Sequence, residues 1–131
     1  MKIILGTHGK LGEQLVNSAE MILGKLEGVE CASLMPGMSF EDFIAEAEAK
    51  VAACADEDVI VLVDLFGGTP SNVFSALTRK YPIHVVTGAN LPALISLYSS
   101  RDSGASVEDL VSETVEAIRE SAVHTNERLG S

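Results

Sequence analysis

Val59-Ile60-Val61-Leu62-Val63 is apolar at every position, and that run constrains the fold more than any other feature of the chain. A strand with one wet face alternates polar and apolar residues. One with no polar position is covered on both faces, as in the centre of a parallel sheet. The segments around it keep a matching rhythm. Lys2–Leu5 reads as a first strand, Val29–Leu34 as a second and Ile83–Thr87 as a fourth. After the first strand, Leu11, Leu15, Ala19, Ile22 and Leu26 form a 3.6-residue stripe, in a helix expected to end near Gly28. Ser39 with Asp42 resembles a capping box, opening a helix whose inward face is Phe40, Phe43, Ile44, Ala47 and Val51. Thr69 reads as the cap of a third helix, with Pro70 in its first turn. Gly88-Ala89-Asn90 turns into a helix with Pro92 near its start. Ser106 with Asp109 caps a last helix along Val107, Leu110, Val111, Val115 and Ile118. This βαβαβαβα order predicts an α/β chain, a single-domain open, mainly parallel sheet with right-handed crossovers and helices on both faces. One domain is expected over residues 1–131, with the tail from about Ala122 its least readable part.

Composition narrows the function classes. Hydrophobic residues make up 47%, which excludes a disordered chain, and the net charge of −10 argues against nucleic acid and anionic membrane as partners. The longest apolar runs are a strand's length, far short of a bilayer span. The amino-terminal run is too short for a signal-peptide core, so a cytoplasmic protein is expected. Cys31 and Cys54 lie in apolar stretches with neither CxxC spacing nor paired histidines nearby. They read as small buried thiols kept reduced. No metal site emerges and no cofactor is implied. Residues 59–101 are the one net-positive stretch, with Asp64 against Arg79, Lys80 and Arg101, which suits a site handling an anion.

The residues that carry chemistry fall at strand ends. His8 sits where the first strand stops and a glycine-flanked turn opens onto a helix, at the edge where open α/β sheets hold their sites. A neutral imidazole there is a nucleophile and proton carrier near pH 7. Three turns are expected to converge on this edge: Gly6–Gly9, Asp64–Asn72 and Gly88–Pro92. Asp64, accepting from Nδ1–H, would fix the tautomer and free Nε2; its other reading is a loop cap. Gly68 and Thr69, at a helix amino end, would supply backbone N–H groups and a hydroxyl for a phosphate; their other reading is simply a helix start. A histidine nucleophile, an orienting carboxylate and an anion cradle together describe phosphoryl transfer through phosphohistidine. Competing motifs fail on spacing: the first turn is neither GxGxxG nor a P-loop, and Gly67–Ser71 lacks GxSxG. His84, inside the fourth strand, reads as a packed or edge residue, and His124 as solvated.

Gly6-Thr7-His8-Gly9, Asp64-Leu65-Phe66-Gly67-Gly68-Thr69-Pro70-Ser71-Asn72 and Gly88-Ala89-Asn90-Leu91-Pro92, in that order, resemble the three signature segments of the mannose-family EIIA proteins. These belong to the bacterial phosphoenolpyruvate:sugar phosphotransferase system (PTS). The resemblance runs over essentially the whole chain, including Ala19-Glu20-Met21 and Arg101-Asp102. It implies that His8 takes phosphate from phospho-HPr at Nε2 and passes it to the EIIB component. Asp64 would hold the ring, Thr69 would stand beside the phosphoryl group, and membrane EIIC and EIID components would lie downstream. It also implies a homodimer, often with exchange of a carboxyl-terminal strand. Thr125-Asn126-Glu127-Arg128 has poor strand propensity, which argues against that exchange here. No EIIB domain or long linker follows, so a separate EIIA subunit is expected. Two rivals remain: the phosphotransferase subunit of a dihydroxyacetone kinase, and a non-catalytic regulator read through the state of His8.

Overall fold

A computed structural model describes residues 1–130. Four parallel strands, β1 (Lys2–His8), β2 (Val29–Leu34), β3 (Val59–Val63) and β4 (Ile83–Thr87), stand in the order β2-β1-β3-β4. Between and after them run α1 (Leu11–Leu23), α2 (Phe40–Ala52), α3 (Thr69–Leu77), α4 (Leu91–Ser100), α5 (Val107–Glu120) and the short α6 (Thr125–Arg128). The expected open parallel sheet with helices on both faces is therefore present.

Period-two alternation along the central strands sorts the core into two layers. Ile4, Val59, Val61 and Val63 pack with Phe43, Ala47, Val51 and Phe74 of α2 and α3. Ile3, Leu5, Ile60 and Leu62 pack with Ala19, Leu94, Leu97 and Leu110 of α1, α4 and α5. All five residues of β3 are buried, as its unbroken apolar run predicts. Ser39 and Ser106 accept from the backbone N–H of Asp42 and Asp109, so both serine caps form as expected. No helix among the described residues is long and apolar enough to cross a membrane.

Several boundaries differ from the sequence reading. β1 runs on to His8, three residues beyond Leu5. α1 stops at Leu23, not near Gly28, because Gly24 takes φ 77°, a left-handed turn open to glycine, and its N–H closes on Glu20 O. The expected stripe is cut short with it: Ile22 is 62% exposed, while Leu26 is buried from an irregular segment. Phe40 is likewise exposed at the start of α2, leaving Phe43, Ala47 and Val51 buried on its inward face with Ile44 half-buried against the same core. The tail holds the one-turn α6, with every residue from Ala122 to Gly130 exposed.

Two close approaches set how the helices flanking β1 sit. A Cβ on Gly6 would fall 2.4 Å from Phe74 Cε2, so α3 lies against β1 where no side chain fits. A Cβ on Gly12 would meet Leu5 and Thr7 at 3.1 and 3.3 Å, and the Gly12 N–H donates to the buried Thr7 Oγ1 at 2.9 Å. Cys31 and Cys54 are both free; Cys54 is buried and Cys31 half-buried on β2. Burial, reinforced by the nearby Glu13 carboxylate, pushes the Cys31 thiol up to about 11. Burial pushes Cys54 upward too.

Overpacking at Gly6 makes the first test. Gly6→Ala is expected to cost about 1–3 kcal/mol in urea unfolding, and clearly less in a Phe74→Leu background, where the ring no longer blocks the methyl. The thiolate is the reacting form, so Cys31 is expected to alkylate slowly with iodoacetamide at pH 7.5. Its rate should rise about tenfold per pH unit until the pH nears the thiol's own value; mass spectrometry across a pH series reads this directly.

Candidate functional site

The strand order places a switch point between β1 and β3: the chain leaves β1 toward β2 on one side and enters β3 on the other. Crevices at the carboxyl ends of such strands are where open α/β sheets bind ligands. His8 ends β1 and Asp64 immediately follows β3, so the two meet there although 56 residues apart.

Their geometry is specific. Asp64 Oδ2 accepts from the His8 backbone N–H and from ring Nδ1, each at 2.9 Å. An oxygen that accepts assigns the ring proton to Nδ1 and leaves the lone pair on Nε2. Asp64 is largely buried, its side chain 11% exposed, whereas the His8 side chain is 48% exposed. The mount is thus largely inside the protein and the ring half outside it, with Nε2 bonded to no described residue. Asp64 Oδ1 is buried with no hydrogen-bond partner among the described residues. One oxygen therefore holds the histidine twice while the other adds no tether elsewhere. Behind His8, Thr7 is fully buried and fixes the turn: its hydroxyl takes the Gly12 N–H and reaches Gly9 O at 3.4 Å, while Gly9 N–H donates to Leu34 O.

The second turn arrives at the ring through Gly68. A Cβ there would lie 2.8 Å from His8 Cε1. Gly68, and not Thr69, is the N-cap of α3. Gly68 is extended (φ −75°, ψ 167°) and its carbonyl takes the first intrahelical bond, from Asn72 N–H at 2.9 Å, which puts Thr69 inside the helix. A Thr-Pro pair reads alike in either register, and helix ends carry that one-residue ambiguity. The Gly68 N–H donates to Leu65 O at 3.2 Å. Pro70 has no N–H, so Thr69 and Ser71 carry the remaining amides of the first turn, which have no partner within the helix. The Thr69 hydroxyl has no hydrogen-bond partner among the described residues.

The third turn lies on the same edge, tied to β3 by Ala89 N–H to Val63 O, but Asn90 faces other work. Its Oδ1 caps α4 through Ala93 N–H and its Nδ2 donates to Ser121, the C-cap of α5. His84 is half-buried on β4, and His124 is exposed with Nδ1 3.4 Å from Glu127. The structure thus brings together His8, Asp64 and the Gly68-Thr69 helix start. Two contributors escaped the sequence reading. The His8 backbone N–H leaves no sequence signal. Thr7 does leave one, a hydroxyl residue closing an apolar strand just before the turn.

Beside this geometry, the family model EIIA-man, described as PTS system fructose IIA component, matches residues 2–115. The chain belongs to the EIIA-man family. Among the relatives of this EIIA-man chain is the mannose-specific EIIAB component of the PTS from Escherichia coli K12. The two are 38% identical over 120 residues, covering 90% of this chain and 37% of that protein. The chain therefore spans little more than a third of the length of that relative. The sorbose-specific EIIA component of Klebsiella pneumoniae is 31% identical over 108 residues, covering 82% of this chain and 78% of the relative. The crystal structure of a phosphotransferase system component EIIA from Streptococcus agalactiae superposes with a TM-score of 0.89 at 34% identity. It covers 96% of this chain and 98% of its own. Neither rival reading, the dihydroxyacetone kinase subunit or the non-catalytic regulator, is favoured by these relatives.

The ring geometry makes its own prediction. Imidazole nitrogen shifts in ¹⁵N NMR are expected to show His8 as a single tautomer protonated at Nδ1. Asp64→Ala is expected to return a mixture of tautomers, and a single Nδ1–H form in that variant would remove Asp64 from its role.

Proposed function

We propose that this chain is a phosphocarrier of a sugar phosphotransferase system, taking a phosphoryl group onto His8 Nε2 from phospho-HPr and passing it to an EIIB component. The observation that carries this reading is the ring itself, held at Nδ1 by a largely buried carboxylate and half-exposed, its Nε2 bonded to no described residue, beside a helix amino end. Membership of the EIIA-man family supplies the reaction class.

The steps follow from that arrangement. Nε2 attacks the donor's phosphorus in line, and the N–P bond of the donor breaks with its electron pair returning to the donor's imidazole. As Nε2 gives up its lone pair, positive charge builds on the His8 ring, and Asp64 stands at Nδ1–H to stabilise it without taking the proton. The amides of Thr69 and Ser71 and the Thr69 hydroxyl face the equatorial oxygens with the positive end of α3. Catalysis is positioning and electrostatics, with no nucleophile beyond His8. Transfer to EIIB is the same chemistry reversed. The sugar is left to downstream components, because this site touches proteins alone. A homodimer and a cytoplasmic setting belong to the same proposal, carried by the family resemblance.

Incubation with phosphoenolpyruvate, enzyme I and HPr, followed by mass spectrometry at alkaline pH, tests it. The expected result is a gain of about 80 Da, acid-labile and mapped to His8. His8→Ala is expected to take up nothing, and Asp64→Asn to take up phosphate roughly tenfold to a hundredfold more slowly. Normal uptake by His8→Ala would overturn the mechanism. A phosphorylated chain that keeps its phosphate in the presence of EIIB would move the reading to a regulator.

A further inference from the structure

Gly68 stands closer to the His8 ring than a side chain allows. A Cβ built on it would lie 2.8 Å from His8 Cε1 and 3.6 Å from Nε2, with Leu65 O at 3.4 Å. Carbon atoms in contact settle near 3.5–4.0 Å, so any other residue must displace the ring or the loop. The backbone at this position asks for no glycine: φ −75° and ψ 167° are open to all residues. Its neighbour Gly67 is the opposite case, with φ +85° and nothing within 4 Å of a Cβ. Gly67 answers to conformation and Gly68 to space. Nor is Gly68 a free anion donor, since its N–H is engaged with Leu65 O.

We infer that Gly68 is a positioning residue for His8, whose missing side chain forms the slot that keeps Nδ1 on Asp64 and Nε2 turned outward. The ring's seat has two parts. Asp64 Oδ2 attracts Nδ1 at 2.9 Å, and the bare Cα of Gly68 leaves open the space beside Cε1, the carbon between the two nitrogens, that a side chain would take. The hydrogen bond holds the ring in place only while that space is open to it; a methyl at position 68 would push the ring off its line to Asp64. The inference rests on the proposed phosphocarrier function for its transfer step alone, because the slot itself is a property of the resting ring.

A stability cycle over wild type, Gly68→Ala, His8→Ala and the double variant reads the contact directly. Gly68→Ala is expected to lower the unfolding midpoint while the ring is present and to leave it nearly unchanged in His8→Ala, where the space is vacant. A Gly68→Ala chain that folds only when His8 is also removed supports the slot. Equal loss in both backgrounds, no loss in either, or failure to fold in both overturns it. In folded Gly68→Ala, ¹⁵N shifts are expected to show the single Nδ1–H tautomer giving way to a mixture; unchanged shifts overturn the inference. With phospho-HPr as donor, the maximal rate of uptake is expected to fall by about tenfold or more with little change in apparent KM. A wild-type rate in Gly68→Ala overturns the positioning role. If wild type itself takes no phosphate, the phosphocarrier reading fails, while the cycle and the nitrogen shifts still decide the slot.

Discussion

One carboxylate oxygen holds the site together. Asp64 Oδ2 takes both the backbone N–H and the ring Nδ1 of His8, so a single acceptor fixes where the residue's main chain lies and which way its side chain turns. With the backbone N–H and ring Nδ1 bound to the same oxygen, χ1 and χ2 of the imidazole are left little choice. They also tie the end of β1 to the end of β3 at the point where the sheet's connections diverge. Burial of the carboxylate strengthens the tie, because hydrogen bonds to an oxygen shielded from water face less competition. The orphaned Oδ1 means that no second partner among the described residues pulls the group elsewhere.

That tie has value only if β1, β3 and α3 arrive in fixed relation, and the core supplies this with small residues at chosen places. Phe74 lies directly on Gly6, bringing α3 against β1 two residues before His8, and it meets Phe43 edge-on with centroids 6.4 Å apart. On the other face Gly12 lets α1 press on Leu5 and Thr7. The amino end of α3 therefore sits where the core puts it, and the spacing between His8 and the first amides of that helix is inherited from aliphatic and aromatic packing. A site exposed to solvent takes its rigidity from a dry interior.

The fold was legible because its signals are local. Unbroken apolar runs mark β1 and β3, and Ser39, Ser106 and the Asn90–Pro92 turn mark helix starts through hydrogen bonds that close within three residues. Ends that depend on a single dihedral were not: Gly24 stops α1 early, and nothing in the Leu11–Leu26 stripe distinguishes Gly24 from Gly28 as the stop. In the site, His8 and Asp64 were legible as strand-end residues whose turns converge. Gly68 read as a phosphate-binding glycine in a glycine-rich turn, since sequence does not tell a glycine chosen for its dihedral or its amide from one chosen for the space beside it. Thr69 read as the cap because Thr-Pro is a strong start signal, and the structure moves that cap one residue upstream.

A ring half-exposed on a buried mount suits a carrier better than an enzyme that closes over its substrate. An enzyme of the latter kind gains by excluding water around the reacting atoms, at the cost of burying them. A carrier must place the same nitrogen inside two different partners in turn, so the reacting face has to project, and rigidity must come from behind it. His8 meets both demands: Nδ1 and the main chain are held by Asp64, Gly68 leaves the room beside Cε1 that this placement needs, and the side chain as a whole stays 48% exposed. The neighbouring turn adds Leu65 and Phe66, 60% and 83% exposed, large apolar side chains that a self-contained active site would fold inward. On the phosphocarrier reading these surfaces leave water when a partner docks, so the dry surroundings that strengthen electrostatic stabilisation are assembled by each complex and are absent from the resting protein. The same division explains why the hydrogen bonds to His8 converge on its backbone N–H and Nδ1 and none among the described residues reaches Nε2, since whatever fixed that nitrogen within the chain would compete with the partners it must reach.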